Sequence, residues 1–176
     1  RKLGFARPNI RLLSDMITCP GGDFCALANA RSLPVAQAIT ERYQDLDELH
    51  DLGEIDLHIS GCINSCGHHH SGHIGILGVD KDGKEWYQVS LGGSDGSALS
   101  GAPVAGKVVG PSFAADEVAD VIEAIIDTYR RERQTVQGSN ETFIATVRRV
   151  GTEPFKLAAN SMRTSTGKAV HVTETE

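Results

Sequence analysis

Residues 54–79 read EIDLHISGCINSCGHHHSGHIGILGV, and the fold turns on how this stretch is read. From Glu54 to Ser60 apolar and polar residues alternate, with Ile55, Leu57 and Ile59 on one face and Glu54, Asp56, His58 and Ser60 on the other. A period of two marks a half-buried strand. The strand runs into Gly61-Cys62, a second cysteine follows at Cys66, and the apolar run over 73–79 reads as another strand. The stretch therefore predicts a sheet with a cysteine-bearing turn where one strand stops.

Toward the C-terminus, residues 85–91 (EWYQVSL) read as a third strand, joined to the second by DKDGK. Asp82-Gly83 in that link suits a tight hairpin turn. Residues 92–103 form a polar, glycine-rich loop, and VAGKVVG after it reads as one more strand. Over 115–133 the apolar residues Val118, Val121, Ile122, Ile125 and Tyr129 share one helical face. Asp116 and Glu117 stand at its start and Arg130, Arg131 and Arg133 at its end, as the helix dipole favours. A shorter helix is expected over 140–150, with Asn140 as its cap. A polar tail is expected over 157–176, without pattern from Ala159 onward.

Toward the N-terminus, residues 18–33 read TCPGGDFCALANARSL. Residues 24–43 have helical spacing, with Pro34 as a break or as the first turn of a second helix. The segment NIRLLSDMI before it reads as a short strand or turn. The expected fold class is α+β: a mixed or antiparallel sheet over 55–60, 73–79 and 85–91, covered by helices near 26–43 and 115–132. One domain is expected over 1–156.

The chain has 176 residues, 40% of them hydrophobic and 23% charged, which suits a soluble globular domain. A net charge of −6 argues against nucleic acid as a partner, since phosphate neutralisation needs a positive face. No apolar run approaches the ~20 residues of a membrane span, and no secretory signal is visible. A cytoplasmic setting is expected. The chain opens on Arg1-Lys2 without a methionine, so a piece of a longer protein is expected.

All four cysteines fall in two pairs, Cys19 with Cys25 and Cys62 with Cys66. Each pair sits where the chain changes direction, among glycines that leave backbone N–H groups free to donate to sulfur. Cys25, read as early in a helix, would gain thiolate character from the helix N-terminus. Four thiolates with N–H donors and small neighbours suit an iron–sulfur cluster. The spacings suit structural zinc poorly, although Cys62 and Cys66 alone fit it. Two disulfides or four inert thiols are the remaining readings.

The combination of Cys-x5-Cys with a later Cys-x3-Cys resembles the signature of the sirohaem and [4Fe–4S] sulfite and nitrite reductases. The likeness extends over residues 5–155, through TCPGGDFCALANARS, LHISGCINSCGHHHSGHIGILGV, YQVSLGG and the closing TFIATVRRVGTEPFK. It is most like the C-terminal part of the assimilatory sulfite reductase haemoprotein subunit. The resemblance implies that Cys19, Cys25, Cys62 and Cys66 hold a [4Fe–4S] cluster, with Cys66 also reaching the sirohaem iron. It places Gly61, Asn64 and Gly67 against the cofactors. It implies six-electron reduction of sulfite to sulfide, with nitrite as the alternative substrate and ferredoxin or a flavoprotein as electron donor. A non-catalytic iron–sulfur or zinc module is the competing reading. The substrate-binding cations of the family come mainly from a preceding half, so this chain alone is not expected to reduce sulfite. Arg7 and Arg11 are expected to be solvated surface residues. His68, His69, His70 and His73 depart from the family pattern; they read as hydrogen-bond donors along the cofactor edge rather than as a second metal site.

Overall fold

The computed structural model describes residues 8–97, 100–136 and 138–163. Its centre is a six-stranded mixed sheet. Strands β1 (Ile17–Thr18), β2 (Leu57–Ser60) and β3 (Ile74–Lys81) run parallel, with Thr18 opposite Ile59 and Leu57 opposite Ile74. Strand β4 (Lys84–Leu91) returns antiparallel to β3 along its full length, Lys81 opposite Lys84 and Ile74 opposite Leu91. Two short strands, β5 (Lys107–Val108) and β6 (Phe113–Ala114), cover opposite ends of the outer edge of β4. Asp82 and Gly83 both take positive φ (55° and 74°) at the β3–β4 turn. This is the geometry that follows the right-handed twist of the flanking strands.

Helix α1 (Leu33–Arg42) has Pro34 in its first turn, where a missing N–H costs nothing. Helix α2 (Leu46–Leu52) starts on Asp45, whose carboxylate accepts from the Asp47 N–H. Helix α3 (Val118–Glu132) buries Val118, Val121, Ile122, Ile125, Ile126 and Tyr129 in the core. A small hairpin, β7 (Thr135–Val136) with β8 (Ser139–Asn140), leads to α4 (Phe143–Val150) and α5 (Glu153–Ser161). Tyr129, Phe143 and Phe155 pack edge to face in sequence, at 5.4 and 6.1 Å between centroids. Burying each such ring stabilises the fold by about 1.5–3 kcal/mol. Arg42 of α1 pairs with Asp120 and Glu123 of α3, locking the two helices across the surface.

Four details differ from the sequence reading. Strand β2 is buried on both faces, not half-buried. Residues 61–73, which carry the chain back to start β3 parallel to β2, lie across its polar face. His58 donates from Nδ1 to the His68 carbonyl (3.0 Å), and the Ser60 hydroxyl accepts from the Gly67 N–H (3.1 Å). Second, residues 24–32 are loop, and α1 starts only at Leu33. Their backbone is drawn to the neighbouring turn instead, with the N–H groups of Asn29 and Ala30 both donating to the Gly61 carbonyl (2.9 and 3.0 Å). Third, Thr142 rather than Asn140 caps α4, through the Ala145 N–H. Fourth, regular structure continues past 157, because Phe155 and Ala159, four apart on α5, share a buried face. Residues 164–176 of the expected tail and Arg7 lie outside the described residues.

Arg11 is not a solvated arginine. Its Nη2 donates to Asp56 at 2.7 Å, at the N-terminal end of β2. Next to this pair lies His73, only 2% exposed. The Asp56 N–H donates to its Nδ1 (3.2 Å), so the neutral ring carries its proton on Nε2, which donates to the Ser100 hydroxyl (2.9 Å). Burial pushes the His73 pKa down; Asp56 and Asp95 oppose this, and Arg11 and Arg148 add to it. The unfolded chain therefore binds a proton at His73 before the folded one does. Stability from this site is present above the ordinary histidine value of about 6.5 and is lost as pH falls below it. Denaturant midpoints at pH 7.5 and 5.5 are expected to show a drop in the native protein that is smaller in His73→Gln. An equal drop in both would exclude His73 as the cause. Glu141, held down to about 2 chiefly by the Arg149 guanidinium, titrates well below this window.

Candidate metal centre

Because β1 and β2 are adjacent and parallel, their C-terminal ends emerge side by side. Cys19 follows β1 directly, and Cys62 stands two residues beyond β2. The Cys19 N–H extends the pairing by donating to the Ile59 carbonyl (3.1 Å). Two cysteines distant in sequence thus reach the same edge of the sheet through strand register. The loop bearing Cys25 is held to the same place, since the Cys25 N–H donates to the Gly21 carbonyl (2.9 Å) and the loop closes on Gly61. Cys66 is fixed to Cys62 by a turn in which the Ser65 N–H donates to the Cys62 carbonyl (3.1 Å). All four thiols are free; Cys62 is buried, Cys19 and Cys25 are half-buried and Cys66 is exposed.

Gly61 joins the two loops. Its N–H donates to the Cys19 sulfur (3.1 Å) and its carbonyl receives the Asn29 and Ala30 N–H groups. A Cβ on Gly61 would lie 2.6 Å from the Ala30 carbonyl oxygen, so the residue is small because protein backbone is there. Gly67 is tighter, its Cβ position lying 2.0 Å from the Ile59 oxygen. Asn64 is exposed on the turn between Cys62 and Cys66. Burial pushes the Cys19 pKa up, but hydrogen bonds from the Ser32 hydroxyl and from the Gly61 and Gly21 backbone outweigh it, and the net shift is downward. Cys19 is thereby biased toward the thiolate, the ligating form. Cys25, expected at a helix N-terminus, sits in a loop and has no such dipole. Ser32, with its hydroxyl 3.5 Å from the Cys19 sulfur, was not singled out from sequence. Its only signal was its place just before the Leu33-Pro34 helix start.

Among the described residues, no three His, Cys, Asp or Glu side chains close around a point that could hold a single metal ion. A mononuclear zinc site with ~2.3 Å Zn–S bonds is not preformed, and the side chains of the histidine run do not gather at one point. Its members do different things. His68 takes a left-handed backbone (φ 53°) and lends its carbonyl to His58; His69 and His70 turn their Nδ1 atoms to Ser65; His73 is buried away from the run. Around the cysteines, Phe24, Leu27 and Ile63 are 78%, 72% and 82% exposed. These side chains leave apolar surface open to solvent beside the cysteine-bearing loops. No described helix is long and apolar enough to cross a membrane.

The family model described as "Nitrite and sulphite reductase 4Fe-4S domain" matches residues 11–165. The chain is 32% identical over 137 residues to the chloroplastic ferredoxin–nitrite reductase of Zea mays, covering 73% of this chain and 23% of that protein. It is 28% identical over 131 residues to the NADPH sulfite reductase haemoprotein beta-component of Bacillus velezensis, covering 73% and 21%. The chain thus spans about a fifth of the length of the curated relatives it matches. Among solved structures, Mycobacterium tuberculosis NirA superimposes with a TM-score of 0.60 at 25% identity, over 80% of this chain and 26% of that one.

Proposed function

Since this chain belongs to the nitrite and sulphite reductase 4Fe-4S domain family, we propose that it is the cofactor-holding part of a sirohaem-dependent reductase that converts sulfite to sulfide. Cys19, Cys25, Cys62 and Cys66 are the cluster ligands in this reading, and Cys66, the exposed member, is the one shared with the sirohaem iron. The observation that carries it is the convergence of both cysteine loops at one sheet edge, with the Gly61 N–H already directed at the Cys19 sulfur. The donor set fits the group: free thiols, one of them biased toward thiolate, with an N–H donor at sulfur. When bound, the cluster and sirohaem supply one-electron transfer and oxyanion reduction; the protein supplies binding, orientation and electrostatics.

The chain's own part follows from its geometry. Gly61 and Ser32 hold negative charge on Cys19 in place. The β1–β2 pairing fixes the two halves of the ligand set against each other. Phe24, Leu27 and Ile63 offer an apolar rim suited to the face of a wide macrocycle and exclude water from it. Electrons would come from a ferredoxin or a flavoprotein.

Nitrite is the second reading, favoured by the match to the Zea mays enzyme. The test is turnover of the purified holoenzyme with a reduced artificial donor, with sulfite and nitrite offered separately. Sulfide formed faster from sulfite than ammonia from nitrite is the expected result. The reverse preference moves the assignment to nitrite, and no turnover of either overturns the enzymatic reading.

A further inference from the structure

Ser32 occupies the N-cap position of α1, yet its hydroxyl makes no cap bond. A serine there ordinarily accepts from the backbone N–H of the second or third helical residue. The second is Pro34, which has no N–H. The hydroxyl is turned instead to the Cys19 sulfur, 3.5 Å away. Ser32 is fully buried (0% exposed), so water does not compete for this bond. Two glycines enclose the hydroxyl. A Cβ on Gly21, whose φ is +63°, would lie 2.7 Å from the hydroxyl oxygen, and one on Gly61 would lie 3.1 Å from it. Bare backbone thus stands where side chains would push the hydroxyl off the sulfur.

Cys19 is also the best supplied of the four sulfurs. The Gly61 N–H donates to it at 3.1 Å, and the Gly21 backbone adds a further bond. Among the described residues, no hydrogen bond reaches the sulfur of Cys25, Cys62 or Cys66. The N-terminal, positive end of α1 lies beside the same Cys19 sulfur, because Ser32 is its N-cap.

We propose that Ser32, acting through Cys19, is a positioning residue that raises the reduction potential of the [4Fe–4S] cluster assigned above, a reading on which this inference rests. A cysteine bound to iron is a thiolate and carries no proton, so the hydroxyl donates and the sulfur accepts. One electron added to the cluster increases the negative charge on its ligand sulfurs. The Ser32 hydrogen bond strengthens with that charge, and burial keeps it unscreened. It therefore stabilises the reduced state more than the oxidised one. No proton leaves Ser32; the electron comes from the external donor and stays on the cluster.

The test is a potentiometric titration of the purified holoprotein, poised with dithionite and mediators and read by electron paramagnetic resonance of the reduced cluster. In Ser32→Ala the reduction equilibrium should weaken about tenfold, which moves a one-electron midpoint about 59 mV more negative. Iron and acid-labile sulfide per chain should stay at the native level. Ser32→Thr, which keeps the hydroxyl, should hold the native midpoint. A midpoint that is unmoved or raised in Ser32→Ala overturns the assignment. An equal displacement in Ser32→Thr does so too, since it traces the effect to packing rather than to the hydroxyl. Loss of iron from Ser32→Ala also overturns it, by making the serine a residue that retains the cluster instead of one that tunes it. Native protein without iron and acid-labile sulfide overturns the cluster reading, and this inference with it, before any variant is compared.

Discussion

Cys62→Ala is expected to leave the holoenzyme without its cluster and without turnover. Cys62 is buried, at 7% exposure, just beyond the end of β2. Its carbonyl anchors the turn to Ser65 and so positions Cys66. A methyl group in place of the thiol takes one proposed ligand away, and the sheet edge holds no spare cysteine, because the chain has only four. Three thiolates leave one corner of a cubane unheld. Iron and acid-labile sulfide per chain should fall to near zero, the visible bands should disappear, and reduction of sulfite or nitrite should drop to background. The fold should persist, since the small cavity left by Cys→Ala costs only about 1–2 kcal/mol. A variant with native iron content and activity would remove Cys62 from the ligand set. Loss of folding, read by circular dichroism, would show that the thiol serves packing instead.

Gly67→Ala is expected to be among the most damaging single-methyl changes in the described residues. The added carbon would sit 2.0 Å from the oxygen and 2.8 Å from the carbon of the Ile59 carbonyl. Both atoms belong to β2, which is paired on one side with β1 and on the other with β3, so the strand has nowhere to go. The turn must lift instead, breaking the Gly67 N–H bond to Ser60 and shifting Cys66 and His68 on either side. Overpacking of a tight site costs about 1–3 kcal/mol, and movement of Cys66 should add loss of cluster. Gly83→Ala isolates the other way a glycine matters. Nothing lies within 4 Å of its Cβ position, but its φ is +74°, so the cost there is left-handed strain of about 1–2 kcal/mol with the cluster intact. Denaturant midpoints and iron content of the two variants, measured side by side, check this. Equal iron content in both would show that the turn tolerates displacement.

The hairpin and the helix over 118–132 were legible because each carries its own period. Asp82-Gly83 announced a turn, and Val118 to Tyr129 announced a face. The two cysteine-bearing loops were legible in the sequence, but the means by which they are held to each other was not. That depends on the two-residue strand β1, too short for any pattern, and on its register with β2. His58 and Ser60 looked solvated because alternation cannot reveal that residues 61–73 fold back over the same face. The loop over 24–32 looked helical because Ala26, Leu27 and Ala30 are good helix formers. Backbone bonds to Gly61, a residue more than thirty positions away, outweighed that preference. The contacts of Ser65 were invisible for a related reason: they arise only when the chain brings His69 and His70 back to its hydroxyl.

The pairing of β1 with β2 also bears on how the protein matures. Bringing Cys19 beside Cys62 closes a loop of more than forty residues, an entropic cost of about 3 kcal/mol. In small zinc modules the metal itself must offset such a cost, and the chain is unfolded without it. Here strand register, the Gly61 bridge and the buried flanks of β2 do so, using protein contacts alone. In the proposed reading the two loops would then be held near each other by the protein itself, and binding of the cluster would have only to draw the four thiols inward. Cys66, the one exposed thiol of the four, would in that reading be the first that an incoming cluster meets.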